Sequence, residues 1–238
     1  MFAEISPRYD FLNHFLSLNI DHAWRQKAVR ALRLPPGALV LDTCTGTADL
    51  ALALARAVRS LGGKVIGCDF TPEMVRIGKL KRDRARAENL ELLVADSLAL
   101  PFPAGSFDAV TVAFGIRNVC DLNAAIRELL RVLKPGGQVA VLEFSPPERG
   151  ILRSGFELYF RRILPTIGRW VSGSSAYSYL PESVGEFPSA QRFAELLKEG
   201  GFEAVQIAKL TFGVAVLHLA SKPVPARELE PALAGGRA

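Results

Sequence analysis

Short apolar runs alternate with longer amphipathic stretches between residues 35 and 145 of this 238-residue chain. Such an alternation is typical of consecutive β–α units, which build a mostly parallel sheet with helices on both faces. We therefore predict an α/β fold. The expected strands are 38–41, 64–68, 90–94, 107–114 and 138–144, and the expected helices between them are 49–60, 72–87 and 122–133.

The segments that flank this core complete one domain. A helix over 189–199 and strands over 204–210 and 212–219 would bring the sheet to seven strands. At 49% hydrophobic residues the chain can close one full-sized core, so a single domain over 1–222 is expected.

Three further segments surround the predicted sheet. Residues 1–34 have apolar side chains at helical spacing, and 146–185 form an aromatic-rich insertion after the fifth strand. We expect these two segments to be a helical cap and a helical lid over one edge of the sheet. Residues 223–238 are rich in Pro, Ala and Gly, which predicts a disordered tail.

Composition narrows the location of the protein. No run approaches the roughly 20 apolar residues that a bilayer span needs, and the N-terminus lacks a secretion signal, so a cytoplasmic protein is expected. Three cysteines without zinc spacing predict small buried side chains in a reducing compartment, and no metal site. The net charge of +5 fits a nucleic acid, an anionic membrane or simply a solvated surface.

The loop within LVLDTCTGTADLA, residues 39–51, carries the clearest chemical signal. Small side chains around Gly46 would let a ligand approach the backbone, although Cys44 and Ala48 stand where a dinucleotide fingerprint has glycine. Asp42 at the mouth of this loop would repel a pyrophosphate and suit an ammonium and a sulfonium group. The pattern therefore favours S-adenosylmethionine over NAD.

Two later strands also end in aspartate. Asp69 ends the second strand, where a carboxylate can accept hydrogen bonds from ribose hydroxyls. Asp96 and Ser97 follow the third strand. Ligands of α/β sheets bind at the carboxyl ends of the strands, so we expect these residues to share one cofactor site with Asp42.

Several longer segments resemble one known family. YDFLNHFLSLNIDHAW from Tyr9 and RVLKPGGQVAVLEFS from Arg131 are similar to the two signatures of the demethylmenaquinone and ubiquinone C-methyltransferases. DSLALPFPAGSFD, FGIRNVCDLNAAIRELLRVL and SYLPESVGEFP are also similar, and the resemblance covers 1–222. In the first signature the family has His where this chain has Asp21, and His22 follows.

The resemblance implies a Rossmann-like class I methyltransferase fold and S-adenosylmethionine as methyl donor. Carried over to this sequence, the cofactor positions are Thr47, Asp69, Asp96 and Ser97. The implied reaction methylates a ring carbon of a lipid-tailed quinol. Demethylmenaquinol is expected, and the benzoquinol precursor of ubiquinone is the alternative.

Arg117 and Asn118 follow the predicted fourth strand, at the edge where ligands should bind. Buried polar side chains in such a place need partners. Arginine is too basic to act readily as a general base, so we expect Arg117 to stabilise the quinolate oxygen and orient a water that takes the proton. Asn118 would hold the same oxygen or fix the arginine.

Other functions remain open. A nucleic-acid amino-methyltransferase would carry an Asn/Asp-Pro-Pro-aromatic clamp after the fourth strand, where this chain has FGIRNVC, so no nucleic-acid partner is expected. Methylation of another small molecule is a further alternative. A non-catalytic protein that binds S-adenosylmethionine or a quinone is the alternative from another class.

Partners beyond the substrate follow from its lipid tail. We expect peripheral contact with the inner face of the membrane through basic residues of the insertion, and a homodimer is also an option. The basic residues are Arg149, Arg153, Arg161, Arg162 and Arg169.

Overall fold

The computed structural model describes residues 19–145 and 179–225. The predicted tail, most of the predicted cap and most of the predicted lid lie outside these residues. The described elements, in chain order, are α1 (Ile20–Ala31), β1 (Leu39–Thr43), α2 (Asp49–Arg59), β2 (Lys64–Asp69), α3 (Pro72–Arg84), β3 (Leu90–Val94), β4 (Phe107–Ala113), α4 (Leu122–Val132), β5 (Leu133–Phe144), α5 (Tyr179–Glu186), α6 (Ala190–Glu199), β6 (Glu203–Leu210) and β7 (Ala215–Ser221).

The strands form one mixed sheet in the order β3-β2-β1-β4-β5-β7-β6. Neighbours from β3 to β5 pair in parallel, while β7 runs antiparallel to both β5 and β6. The mostly parallel seven-stranded sheet is therefore confirmed. The strand order reverses between β1 and β4, which opens a crevice for a ligand at their carboxyl ends.

Helices cover both faces of the sheet. One apolar cluster joins the strands to α1, α2 and α3, and a second joins them to α4 and α6. Neighbours in one strand contribute to opposite clusters, as Val40 and Leu41 of β1 do, and both are fully buried. Strands buried on both faces explain the continuous apolar runs of the sequence.

The start of β5 differs from the prediction. We expected a strand from residue 138, after a Lys-Pro-Gly-Gly stop, but β5 begins at Leu133 directly after α4. Leu133 pairs with Phe107, and the register then shifts so that Gln138 pairs with Ala109. Gly136, at φ 73°, allows the extra residues to bulge out of the ladder.

The cysteines fit the prediction only in part. All three are free thiols, and Cys68 is buried. Cys44 is half-buried and Cys120 is exposed, so the prediction of burial was wrong for Cys120, which ends a loop before α4. Of the helices in the described ranges, none is both long and apolar enough to cross a bilayer.

Candidate functional site

The loop between β1 and α2 has the backbone of a glycine-rich loop with only one glycine. Cys44, Gly46 and Ala48 have φ values of 52°, 55° and 70°, all in the left-handed region. A non-glycine residue there costs about 1–2 kcal/mol. Because Cys44 and Ala48 keep the conformation despite this cost, the loop geometry that we inferred around Gly46 is present.

Asp42 lies beneath this loop, with 1% of its surface exposed. The Thr45 hydroxyl donates to its Oδ2 at 2.6 Å, and the Thr111 hydroxyl donates to its Oδ1 at 2.5 Å. Burial raises the pKa of Asp42 to about 6, although both hydroxyls oppose this rise. The structure thus makes Asp42 a support of the loop, and its contact with a ligand stays a prediction.

Asp69, at the end of β2, is hydrogen-bonded to the loop, and its contact with a ribose stays a prediction. Its Oδ2 accepts from the Gly46 amide at 2.8 Å, and its Oδ1 accepts from the Thr71 amide at 2.9 Å. The next residue, Phe70, carries no prediction from the sequence and has 73% of its surface exposed. An aromatic residue directly after a strand-end aspartate was the signal that could have indicated it.

Ser97 and Asp96 follow β3 and have different surroundings. Ser97 is buried, and its hydroxyl accepts from Thr43 Oγ1 at 3.0 Å and lies 3.1 Å from Cys44 Sγ. Asp96 is exposed and accepts from the Leu98 amide at 2.9 Å. Ser97 therefore joins the β3 loop to the β1 loop, while Asp96 caps a local turn beside it.

A chain of charged side chains connects α1 to the loop. Asp21 is buried and pairs with Arg25, and Arg25 lies 4.0 Å from Asp49 at the start of α2. Lys81 of α3 pairs with Asp49 and donates to the hydroxyl of Thr47 at 3.2 Å. Asp21 thus helps to hold α1 against the start of α2 and the loop before it.

Arg117 lies in a short 3₁₀ turn, Ile116–Asn118, after β4. Its Nη1 donates to the Phe114 carbonyl at 2.6 Å and to Glu143 Oε1 at 2.7 Å. The two side chains are only 7% and 2% exposed. Asn118 is half-buried in the same turn, so the predicted catalytic pair lies at the carboxyl edge of β4, against β5.

Aromatic side chains cover this edge. Phe114 and Phe144 have ring centroids 4.6 Å apart, and Trp24 lies 6.1 Å from each of them. The Arg25 guanidinium lies 5.5 Å from the Phe114 ring and the Arg117 guanidinium 5.6 Å from the Phe144 ring. The edge therefore combines flat apolar surfaces with fixed positive charge.

The two halves of the site touch at Gly115. A Cβ atom on Gly115 would lie 2.3 Å from the Cys44 Cβ, so the turn that carries Arg117 packs directly on the β1 loop. The structure thus brings Gly46, Thr47, Asp69 and Ser97 to the same edge as Arg117. Within residues 19–145 and 179–225, no group of three His, Cys, Asp or Glu side chains could hold a metal ion.

The chain matches one known family over most of its length. The model of the ubiE/COQ5 methyltransferase family matches residues 1–222. The demethylmenaquinone methyltransferase of Thermus thermophilus is 47% identical, over 94% of this chain and 100% of that protein. The ubiquinone/menaquinone biosynthesis C-methyltransferase of Geobacter sulfurreducens is 44% identical, over 93% of this chain and 87% of that protein.

Solved structures support the fold. A SAM-dependent methyltransferase from Aquifex aeolicus aligns with a TM-score of 0.62 and 22% identity, over 83% of this chain and 88% of that chain. The [4+2]-cyclase SpnF aligns with a TM-score of 0.65 and 20% identity, over 86% and 81%. The fold is therefore shared with proteins of different chemistry, and the family match carries the identification. From its matched residues and its close relatives, the chain belongs to the ubiE/COQ5 methyltransferase family.

Proposed function

We propose that the protein is an S-adenosylmethionine-dependent C-methyltransferase that converts demethylmenaquinol to menaquinol. The observation that carries this proposal is the meeting of a glycine-type cofactor loop with a buried arginine at one edge of the sheet, in a chain that belongs to a methyltransferase family. The names of the Thermus thermophilus and Bacillus cereus relatives, at 47% and 42% identity, favour the naphthoquinol.

The residues of the loop fit S-adenosylmethionine. Asp69 is half-exposed and positioned by two backbone amides, so it can accept hydrogen bonds from ribose hydroxyls. The exposed ring of Phe70 offers a flat surface for the adenine, with Asp96 and Ser97 on the next loop. When bound, the cofactor supplies a methyl group on a positively charged sulfur.

The Arg117 side of the site suits a quinol. A guanidinium stabilises negative charge that develops on a ring oxygen, and the rings of Phe114 and Phe144 beside Arg117 offer an apolar surface to the quinol. Exclusion of water by these rings strengthens the electrostatic effect. Arg117→Ala should therefore lower kcat by about 100-fold or more while the affinity for the cofactor stays unchanged.

The deciding assay incubates the protein with labelled S-adenosylmethionine and either reduced demethylmenaquinol or the demethylated benzoquinol. We expect label on the naphthoquinol ring and the loss of that label in Arg117→Ala. Arg117→Lys should recover little, because the planar fork is lost. Label on the benzoquinol alone would reverse the choice of ring, and binding without any transfer would indicate a non-catalytic protein.

A lipid-tailed substrate also suggests contact with a membrane surface. The predicted basic residues of the insertion lie outside the described ranges, but an independent feature supports the same idea. Phe212 lies between β6 and β7 with 81% exposure. Because Ala215 pairs with Phe144, this turn lies at the carboxyl edge of the sheet, where the substrate should enter. A homodimer stays a prediction that light scattering on the purified protein can test.

A further inference from the structure

Glu143 is a buried carboxylate that the proposed mechanism does not yet use. It is the second-last residue of β5, pairs with Val216 of β7, and is 1% exposed. Its Oε1 accepts from Arg117 Nη1 at 2.7 Å and from the Phe144 amide at 2.9 Å. Burying a charged carboxylate costs several kcal/mol unless its oxygens are satisfied, so its presence here needs an explanation.

Two atoms of this ion pair are left unsatisfied. Glu143 Oε2 and Arg117 Nε are both buried and have no hydrogen-bond partner among the described residues. Buried polar atoms without partners are rare in folded proteins. Glu143 Oε2 is an acceptor that could receive the proton of a hydroxyl group. Arg117 Nε is a donor that could then hydrogen-bond to the oxyanion that remains.

Two other carboxylates at this edge of the sheet, those of Asp42 and Asp69, are already engaged. Both oxygens of Asp42 accept from threonine hydroxyls. Those of Asp69 accept from two backbone amides and lie on the cofactor side. Arginine is too basic a residue to act readily as a general base, so the carboxylate is the proton acceptor of this pair.

We propose that Glu143 is the general base of the reaction and accepts the quinol hydroxyl proton on Oε2, while Arg117 stabilises the oxygen that remains. This inference rests on the proposed function. The electron pair of the broken O–H bond stays on the oxygen and enters the ring. The ring carbon then bonds to the methyl carbon, and the cofactor sulfur keeps the electron pair of the broken carbon–sulfur bond.

The aromatic ring is then restored. The methylated carbon loses its hydrogen as a proton to water, and Glu143 returns its proton to the ring oxygen. The net change is one methyl group gained and one proton released, with no oxidant or reductant required. Glu143 ends the cycle as the carboxylate in which it began.

The surroundings of Glu143 suit a base. Burial raises the pKa of Glu143, and the neighbouring Arg117 opposes that rise. His218 of β7 lies on the same face of the sheet, and burial lowers the pKa of its imidazole, which favours the neutral form. A carboxylate with a raised pKa is a stronger proton acceptor than an ordinary one.

The test is Glu143→Gln, which keeps the shape and removes the basic group. With demethylmenaquinol near neutral pH, we expect kcat to fall by about 100-fold or more, with the affinity for S-adenosylmethionine unchanged by calorimetry. Wild-type kcat should fall as the pH drops through the pKa of Glu143. In Glu143→Gln this decrease at low pH should disappear. The rate should instead rise with pH until the pH reaches the pKa of the quinol hydroxyl, about 10, a value typical of phenols.

A chemical rescue separates the base from a structural role. A demethylated quinol analogue with an electron-withdrawing ring substituent ionises more readily, so it should recover most of the lost rate in Glu143→Gln. Glu128→Gln is the matched control, because Glu128 also pairs with an arginine, Arg131, but on α4, and it should behave as wild type.

Three results would overturn the assignment. They are wild-type kcat in Glu143→Gln, a loss that is equal at every pH and with both quinols, and a variant that fails only because it unfolds or no longer binds the cofactor. If the wild-type protein methylates no quinol at all, the proposed function itself is wrong.

Discussion

At the scale of single residues, the site depends on backbone conformations that the side chains do not favour. Cys44 and Ala48 hold left-handed φ values without being glycine, and the space for them comes from glycines on neighbouring elements. A Cβ on Gly115 would meet Cys44, and a Cβ on Gly78 would lie 3.1 Å from the Ala48 Cβ. Gly115 and Gly78, on neighbouring elements, thus provide the close approach that glycines inside the loop provide in a dinucleotide fingerprint.

This arrangement predicts coupled effects at Gly115 and Cys44. Gly115→Ala should destabilise the protein by about 1–3 kcal/mol, as overpacking does, because its new Cβ would clash at 2.3 Å with the Cys44 Cβ. Cys44→Gly in the same protein should recover most of that loss. Urea unfolding of the four proteins of this double-mutant cycle measures the coupling.

Gly185 provides the control for that cycle. A Cβ there meets no atom within 4 Å, and the residue lies within α5. Gly185→Ala should therefore be neutral or stabilise by up to about 1 kcal/mol. Strictly additive effects of Gly115→Ala and Cys44→Gly would show that the contact between the two halves of the site is not as described.

Asp42 predicts a pH dependence of stability. Burial raises its pKa to about 6, above the ordinary aspartate value of about 3.9, so the folded state binds this proton more tightly than the unfolded state does. The stabilisation is complete below about pH 4 and is lost as the pH rises through about 6. Its full size is about 3 kcal/mol.

The measurement is the free energy of unfolding between pH 4 and pH 7 for wild type and Asp42→Asn. The free energy of unfolding of the wild type minus that of the variant should fall by about 3 kcal/mol as the pH rises. Asp83→Asn changes an exposed aspartate whose side chain is 62% accessible and should give a flat difference. A flat difference for Asp42→Asn as well would contradict the raised pKa.

At the scale of elements, the turn between β6 and β7 joins the sheet to α1. Trp24 Nε1 donates to Thr211 Oγ1 at 2.8 Å, and Thr211 and Phe212 have φ values of 45° and 57°. A bulky residue in the left-handed region is uncommon and strained. The turn keeps this conformation with the Phe212 ring 81% exposed at the carboxyl edge of the sheet.

Phe212→Ser should therefore weaken binding to vesicles that contain an anionic lipid, while the fold and the methylation of a short-tailed quinol in detergent stay unchanged. Leu61→Ser is the matched control, since Leu61 is 38% exposed but follows α2 at the opposite edge of the sheet. Flotation with anionic and neutral vesicles measures binding. Equal flotation of wild type and Phe212→Ser would exclude this ring as a membrane contact.

At the scale of the whole molecule, the proposed cofactor site consists of loops after β1, β2, β3 and β4, which are brought together only in the folded state. A ligand that binds only the folded protein stabilises it by about 2.7 kcal/mol at one hundred times its Kd. Saturating S-adenosylmethionine should therefore raise the free energy of unfolding by an amount of that order.

Asp69→Ala should remove much of this protection. Loss of hydrogen bonds to a charged group weakens binding by about 1–3 kcal/mol, which calorimetry measures directly and unfolding with and without the cofactor measures indirectly. Asp83→Ala, at the end of α3 and bonded to Arg82, should keep the full protection. Wild-type affinity in a folded Asp69→Ala protein would remove Asp69 from the cofactor site.

The sequence alone determined the sheet and the edge at which its strand-end carboxylates lie. Buried strands need continuous apolar runs, and the end of such a run marks the carboxyl edge, so the locations of Asp42, Asp69 and Ser97 could be predicted within the local chain. The bounds of β3 agree with the prediction, since Asn89 precedes it and the apolar run gives way to Ala95 and Asp96 after it. These features depend on neighbours in the chain, which a sequence displays directly.

Only the tertiary structure decided which of these side chains are already hydrogen-bonded within the protein and which have atoms left for a ligand. Asp42 is satisfied by Thr111, 69 residues away, and Arg117 is held by Glu143, 26 residues away. Leu133 joins β5 because it pairs with Phe107 across a register shift. Such partners are set by strand order and register, which arise from packing the whole sheet, and no local pattern of residues encodes them.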